Sequence, residues 1–296
     1  MEPRAHSWLA NGLAHNVLEW NGANGTVSAG PTAIIVHGFA DAAATWDDVA
    51  GVLAEAGLRV LAPDMRGFGD GPRVPAGAYY YFPDYVADLA AIVCEHVAPD
   101  APLFVVGHSM GATIAAYYAS TFPERPAKLA LVDGLGPPDN PHDVAPVRMR
   151  TWIDSVERLR AASADRPAPF ASIDEAGARL AKYNPDIDPA LLRRRAAQLV
   201  RAEAGGFAWK HDPLHTTTSP IPFFSASYRA FLGRITCPAL YVNGGPKGFH
   251  TPDREERLAS FTASAGLTQV TIDAGHALHW ARPKELGDAL VRFWRG

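Results

Sequence analysis

LFVVGHSMGATIAAYY, residues 103–118, decides the reading of this chain. Four apolar residues, two of them valine, lead into Gly107-His108-Ser109-Met110-Gly111. A run of Ala, Ile and Tyr without Gly or Pro follows. That order predicts a short buried strand, a sharp turn and the start of a helix. A G-x-S-x-G pentapeptide in that setting is a nucleophile elbow. Its turn holds the serine in a strained backbone conformation and lifts the hydroxyl clear of the sheet at the helix N-terminus. Gly107 and Gly111 are needed because strand and helix pass too close there for side chains. Outside that setting, Ser109 would read as a helix N-cap.

The same alternation extends on both sides. Upstream, His15–Trp20 reads as a strand, residues 21–30 as an Asn- and Gly-rich turn, and Thr32–Val36 (TAIIV) as a strand buried on both faces. A helix over Asp41–Ala56 places Trp46, Val49 and Leu53 on one face, and Arg59–Ala62 forms the next strand. Phe82–Val97 is helical by period, with Val86, Leu89 and Val93 in register. Downstream, Lys128–Val132 is a strand ending at Asp133. From Gly134 to about Tyr228 no clear strand is visible. Helical segments at Arg148–Ala161 and Ala190–Ala204 lie among Pro-rich stretches, so 135–227 reads as a helical cap inserted into a core made of 1–134 and 228–296. Strand character returns at Ala239–Asn243 and Thr268–Ile272, with helices over Asp253–Phe261 and Pro283–Trp294. This alternation implies an α/β fold, a mostly parallel doubly wound sheet with helices on both faces. Ligands of such sheets bind beyond the carboxyl ends of the strands, where His37-Gly38, Ser109, Asp133 and His276 all fall.

Composition narrows the function classes. In 296 residues, 48% hydrophobic, there is material for one large core or a core with a smaller cap. A net charge of −4 without charged blocks argues against nucleic-acid or anionic-membrane partners. Two cysteines, Cys94 and Cys237, are too few for a disulfide framework, and Cys237 in ITCPALYV reads as a buried free thiol. No secretory signal and no apolar run approaching ~20 residues is seen, so the expected location is the cytoplasm.

These pieces together resemble the α/β-hydrolase superfamily over nearly the whole chain outside the cap. The matching motifs are HGF at 37–39, PDMRGFGD at 63–70, GHSMG at 107–111, KLALVDG at 128–134 and GHALHWARPKEL at 275–286. The chain order serine, acid, histidine agrees as well. The resemblance implies a serine hydrolase, esterase-like, without cofactor or metal, acting on a small-molecule substrate. A homodimer is left open.

Ser109 is the expected nucleophile and His276, directly after Gly275 in the loop past the last strand, the expected base. His279 is the competing base and is expected to pack beside Trp280 at the pocket edge. His108 is expected to point away from the site and support the turn, and His37 to anchor its loop, while His211 and His215 have no assigned partner. Most superfamily members carry an acid after the post-cap strand, yet here that strand runs into GGPKG, 244–248, which has no carboxylate. The acid is therefore assigned to Asp133, where some members place it, with Asp253 second. Asp253 otherwise reads as an N-cap and Asp133 as a turn residue. The oxyanion donors are expected to be the backbone N–H of Met110, from the elbow, and by resemblance that of Phe39. Asp64 and Arg66 are expected to pair and pin their turn, and Tyr79, Tyr80 and Tyr81 to edge the pocket or cover a helix start. No histidine pair has metal-ligand spacing with an acidic third ligand.

Two function classes stand. One is cleavage of an ester, lactone or thioester of a small hydrophobic substrate through an acyl-enzyme. Carbon–carbon bond hydrolysis, cofactor-free haloperoxidase chemistry and lyase chemistry are variants using the same triad. A serine at the elbow argues against haloalkane dehalogenase and epoxide hydrolase chemistry, which use Asp there. The other class is a small-molecule receptor with little turnover, kept open by the missing post-cap acid.

Overall fold

The computed structural model describes residues 1–20, 30–162 and 169–296. The turn expected over 21–30 therefore lies outside them, save Gly30, as does the Pro-rich stretch 166–169, save Pro169. The chain opens with a hairpin of β1 (Arg4–Ala10) and β2 (Leu13–Trp20). Its turn is Asn11-Gly12, both with positive φ, the pairing that a two-residue hairpin turn favours. Next come β3 (Thr32–Val36), α1 (Asp47–Glu55), β4 (Arg59–Pro63), α2 (Phe82–His96), β5 (Leu103–His108), α3 (Met110–Thr121) and β6 (Pro126–Val132). The segment before the next sheet strand holds α4 (Ala145–Ala162), α5 (Ile173–Ala181), α6 (Pro189–Leu199), β7 (Val200–Glu203), β8 (Gly206–Trp209) and α7 (Ser225–Leu232). The chain closes with β9 (Ala239–Asn243), α8 (Arg254–Ala259), β10 (Leu267–Thr271), α9 (Leu278–Ala281) and α10 (Pro283–Arg295).

Among the described residues, eight strands form one sheet in the order β1-β2-β4-β3-β5-β6-β9-β10. Only the β1–β2 and β2–β4 pairings are antiparallel. From β4 to β10 every pairing is parallel, as expected. Alternate side chains of each strand feed two different cores, as the period of a strand requires. Ile34, Val36, Val105, Leu129, Leu131 and Tyr241 pack with α2, α3 and α7. Ala33, Ile35, Phe104, Val106, Ala130, Val132 and Leu240 pack with α1 and α10 on the other face. The sheet is thus covered on both sides, which is why its strands read as continuous apolar runs.

The insertion differs from the expectation in two places. The helix expected over Ala190–Ala204 ends at Leu199, and Val200–Glu203 pairs antiparallel with Gly206–Trp209. The cause is Gly205-Gly206, both with positive φ, which turns the chain after a β-branched Val200. The insertion therefore holds a small two-stranded sheet. Also, α7 begins at Ser225 and buries Tyr228 and Leu232 in the core beside α3, so the expected boundary at 228 cuts through a core helix. Elsewhere the helix expected from Asp41 becomes a 3-10 turn at Ala43–Trp46 followed by α1. Cys237 is buried, its thiol pushed up to about 11 by that burial, while Cys94 is exposed. No helix among the described residues is long and apolar enough to cross a membrane.

Two glycines make opposite predictions. A Cβ on Gly111 would fall on the carbonyl of Val36, whereas one on Gly51, mid-α1, would meet nothing within 4 Å. Gly51→Ala is expected to raise stability by roughly 0.5–1 kcal/mol, and Gly111→Ala to lower it by about 2 kcal/mol or more through overpacking. Urea midpoints of the two variants check this, and equal midpoints would contradict the close approach.

Candidate active site

Three strand ends build the site. Ser109 follows β5 with φ 52° and ψ −115°, a conformation sparsely populated by any residue with a side chain. Asp133 follows β6 with φ 44°, and its backbone N–H donates to Val242 at 2.6 Å. His276 follows Gly275 (φ 72°) in the loop after β10. The structure brings these three expected residues into one hydrogen-bonded chain. Ser109 Oγ lies 2.9 Å from His276 Nε2, and His276 Nδ1 lies 2.7 Å from Asp133 Oδ2. A carboxylate only accepts, so Nδ1 carries the ring proton and Nε2 is free to accept from the serine hydroxyl.

Asp133 is fully buried. Its other bonds come from the loop after β9: the Gly244 N–H donates to Oδ1 and the Phe249 N–H to Oδ2, each at 2.7 Å. The carboxylate is thereby satisfied by two backbone donors and one imidazole, as a buried charge must be. A Cβ on Gly248 would sit 2.6 Å from Asp133 Oδ1, so the acid-free GGPKG stretch is the cradle of an acid supplied by another strand. Asp253, the second candidate, is elsewhere. It accepts from Ser225 Oγ and, at 2.8 Å, from Nε of the fully buried Arg257. Arg257 in turn donates to the carbonyls of Leu135 and Pro137.

The loop after β3 lies against the serine, since a Cβ on Gly38 would sit 3.3 Å from Ser109 Cβ. His37 holds this loop. Its Nε2 accepts from Met65 N–H at 3.0 Å, so Nδ1 carries the proton and donates to the Gly38 carbonyl at 2.8 Å. In a trans peptide the carbonyl and the following N–H point opposite ways, so the Phe39 N–H faces away from the His37 ring. Among the described residues neither the Phe39 nor the Met110 amide donates a hydrogen bond. Phe39 is 56% exposed and Phe249 36%, the latter with its ring 5.6 Å from His276, so the approach to the site is apolar.

Several surrounding residues stand differently from expectation. Arg66 does not pair with Asp64. It donates to both oxygens of Asp88 on α2, at 2.6 and 2.5 Å, while Asp64 accepts from Asn16 and from the N–H groups of Ala43 and Asp70. The Asp64 carboxylate is thus consumed by the backbone of the two turns it joins. His279 packs beside Trp280 as expected, ring centroids 5.4 Å apart, but it is buried rather than at a pocket edge, stacked on Trp46 at 4.5 Å and bonded to Asp41. His108 points away from Ser109, and its Nε2 reaches the carbonyl of His276. His215 is stacked 4.0 Å from Phe68 and next to Tyr80. Tyr80 donates to Asp212 and Tyr79 bonds Thr217, so both tyrosines join the insertion to the core. Asp41, His108 and His279 are a group whose ligand-type atoms lie within 4.8 Å of one another. Asp41 and His279 already bond each other, and the second Asp41 oxygen takes Thr45, so the set reads as hydrogen bonding.

Burial shapes the proton equilibria here. Burial drives His108 well below the usual imidazole range and takes His215 down to about 4. Burial also lowers His15, His211 and His279, in the last case against the opposing pull of Asp41. Burial alone would raise Asp41, but the hydrogen bonds from His279 and Thr45 hold it well below the usual carboxylate range. Histidines whose folded pKa is depressed take up protons first in the unfolded chain, so stability falls as pH drops below about 6.5. The slope is ~1.4 kcal/mol per pH unit for each fully excluded proton. The urea midpoint is expected to be flat from pH 7 to 8.5 and to fall steadily between pH 6.5 and 4.5. A midpoint unchanged down to pH 5 would contradict the buried neutral histidines.

The chain is similar to a serine hydrolase-like protein of Dictyostelium discoideum, 26% identical over 280 residues that cover 88% of this chain and 74% of the relative. It is also similar to a putative non-heme chloroperoxidase of Synechocystis sp., 25% identical over 284 residues, 90% of this chain and 92% of the relative. Among solved structures, the thioesterase domain from the curacin biosynthetic pathway superposes with a TM-score of 0.80 at 25% identity, over 98% of this chain and 99% of that one. A family model described as the alpha/beta hydrolase fold matches residues 31–283, from the strand before the Phe39 loop to the helix past His276, and the chain belongs to that family.

Proposed function

We propose that this protein is a serine hydrolase that cleaves a carboxylic ester, lactone or thioester of a small hydrophobic substrate through an acyl-enzyme. The observation that carries the reading is the continuous chain Ser109 Oγ–His276–Asp133, at 2.9 and 2.7 Å. In this reading His276 Nε2 takes the Ser109 proton as Oγ bonds to the carbonyl carbon, and Asp133 holds the imidazolium that forms. The amides of Phe39 and Met110 receive the oxyanion, a contribution of ~3 kcal/mol per donor. Collapse breaks the bond to the alcohol or thiol, which leaves with the proton from Nε2, and water then repeats the sequence on the acyl-enzyme. The insertion before α7, residues 135–224, acts as a cap, and the exposed rings of Phe39 and Phe249 favour an apolar group on the substrate.

The similarity to a putative chloroperoxidase keeps cofactor-free haloperoxidase chemistry as a second use of the same residues. Against a receptor with little turnover stands the position of Asp133, which supplies the acid that the loop after β9 lacks. A cytoplasmic location is part of this reading.

The test is reaction with a fluorophosphonate probe and turnover of p-nitrophenyl acetate and butyrate. Ser109→Ala is expected to abolish both, and Asp133→Asn to lower kcat roughly 10³–10⁴-fold through the wrong imidazole tautomer. Asp253→Asn is expected to keep kcat within about threefold and to lower stability, because it strips the buried Arg257 of its charge partner. A wild-type protein that neither labels nor turns over would overturn the hydrolase reading. If Asp253→Asn were the crippled variant, the assignment of the acid would fall.

A further inference from the structure

Asp41 in the loop after β3, His108 at the end of β5 and His279 on α9, 6%, 5% and 1% exposed, meet behind the reacting groups. The carbonyl of His276 can only accept, so His108 Nε2 carries the proton and donates to it at 2.9 Å. His108 immediately precedes Ser109, so this bond ties the elbow to the residue that bears the base. His279, three residues past His276, donates from Nε2 to Asp41 Oδ2 at 3.1 Å, and Asp41 Oδ1 accepts from Thr45 at 2.6 Å. That pair ties the base loop to the loop carrying Phe39. The His108 ring lies 4.5 Å from His279 and 4.9 Å from His276, and a Cβ on Gly38 would fall 2.7 Å from its Nδ1. The rings therefore leave little room for any of the three segments to shift alone.

Burying a carboxylate and two imidazoles is unfavourable until their hydrogen bonds offset it, and an apolar trio of similar volume would pack at less cost. We propose that Asp41, His279 and His108 are a positioning network that locks the base loop and the Phe39 loop onto the elbow, so that His276 stands at Ser109 before any substrate binds. None of the three touches the reacting atoms. The proposal rests on the hydrolase reading for its catalytic consequence, though not for its geometric one.

The test compares His108→Leu, which keeps volume and loses the donor, with His108→Gln, whose amide N–H reaches toward the same carbonyl. Asp41→Asn perturbs the network from its far end. Three quantities are read: kcat and KM, the rate of fluorophosphonate labelling, and the downfield proton resonance of His276 Nδ1–H with its exchange rate. His108→Leu is expected to lower kcat and labelling about 10- to 100-fold, the scale of a small misplacement of a reacting group, with KM within about threefold. Its His276 resonance should broaden through exchange with water. His108→Gln should recover most of each signal, and Asp41→Asn should show the same changes more weakly. A folded His108→Leu protein with wild-type labelling and a wild-type resonance overturns the proposal. So does equal loss in Leu and Gln variants with the resonance intact, the mark of packing alone. If His108→Leu does not fold, Asp41→Asn decides by the same signals. If wild type itself neither labels nor turns over, the hydrolase reading falls, and the resonance still decides whether the network holds His276.

Discussion

The structure depends on how closely α3 passes over β3 and β5. The place a side chain would take on Gly111 is filled by the carbonyl of Val36, and on Gly107 by the carbonyl of Gly111. Only backbone fits between these elements, and that is what forces the chain through Ser109 in a left-handed conformation. Four non-glycine residues among those described have positive φ, and two of them, Ser109 and Asp133, lie directly past β5 and β6, with a third, Ala40, in the loop after β3. Such conformations cost of order 1–3 kcal/mol each and persist only where the surroundings over-determine them. Here the surroundings are the parallel sheet and its two covered faces. The fourth, Asn11, sits in a hairpin turn, where that conformation is ordinary.

The acid shows how sheet order substitutes for sequence position. Because β6 and β9 are neighbours, a carboxylate at the end of β6 lies beside the loop that follows β9. That loop then needs no carboxylate of its own. It contributes two N–H donors, from Gly244 and Phe249, and the glycines that leave room for Asp133. A carboxylate bound by two backbone donors and one imidazole has little freedom left. The ring of His276 is 41% exposed, so its orientation owes more to Asp133 and to its backbone bond with His108 than to packing.

Much of this was legible in the sequence because it rests on local patterns. Short apolar runs at 32–36, 103–108 and 239–243, with helical periods between them, are enough for a parallel sheet with covered faces, and the elbow is a contiguous motif. Ser109 and His276 follow from such motifs. What stayed hidden depends on tertiary pairing. The partner of Arg66 is Asp88, on a helix 22 positions away, and nothing near Arg66 marks it. Asp41 gives no local signal of its role, since its partner His279 lies 238 positions on. The two hairpin turns are different: Gly205-Gly206 is a turn signal within the sequence that the helical period of the preceding residues outweighs, and Asn11-Gly12 is one that stands just before the strand read at His15–Trp20.

The insertion is joined to the core through the same loops that flank the serine. Arg195, fully buried on α6, donates to Asp47 and Asp48 at 2.7 Å each, at the start of α1, and Gln198 donates to the carbonyl of Ala44. At a second point Asp212 takes Tyr80 through its side chain and its backbone N–H donates to Gly67, while His215 stacks between Phe68 and Tyr80. Phe39 packs edge-on against both Phe68 and His215. The first attachment belongs to the segment after β3 and the second to the loop after β4. The second attachment thus touches Phe39 directly, through Phe68 and His215. The buried Arg195 raises the cost of breaking the first attachment, because separation would leave a guanidinium without its carboxylates. The second attachment is of another kind: it joins stacked rings to the hydrogen bond from Tyr80 to the buried Asp212 carboxylate, with no guanidinium among them.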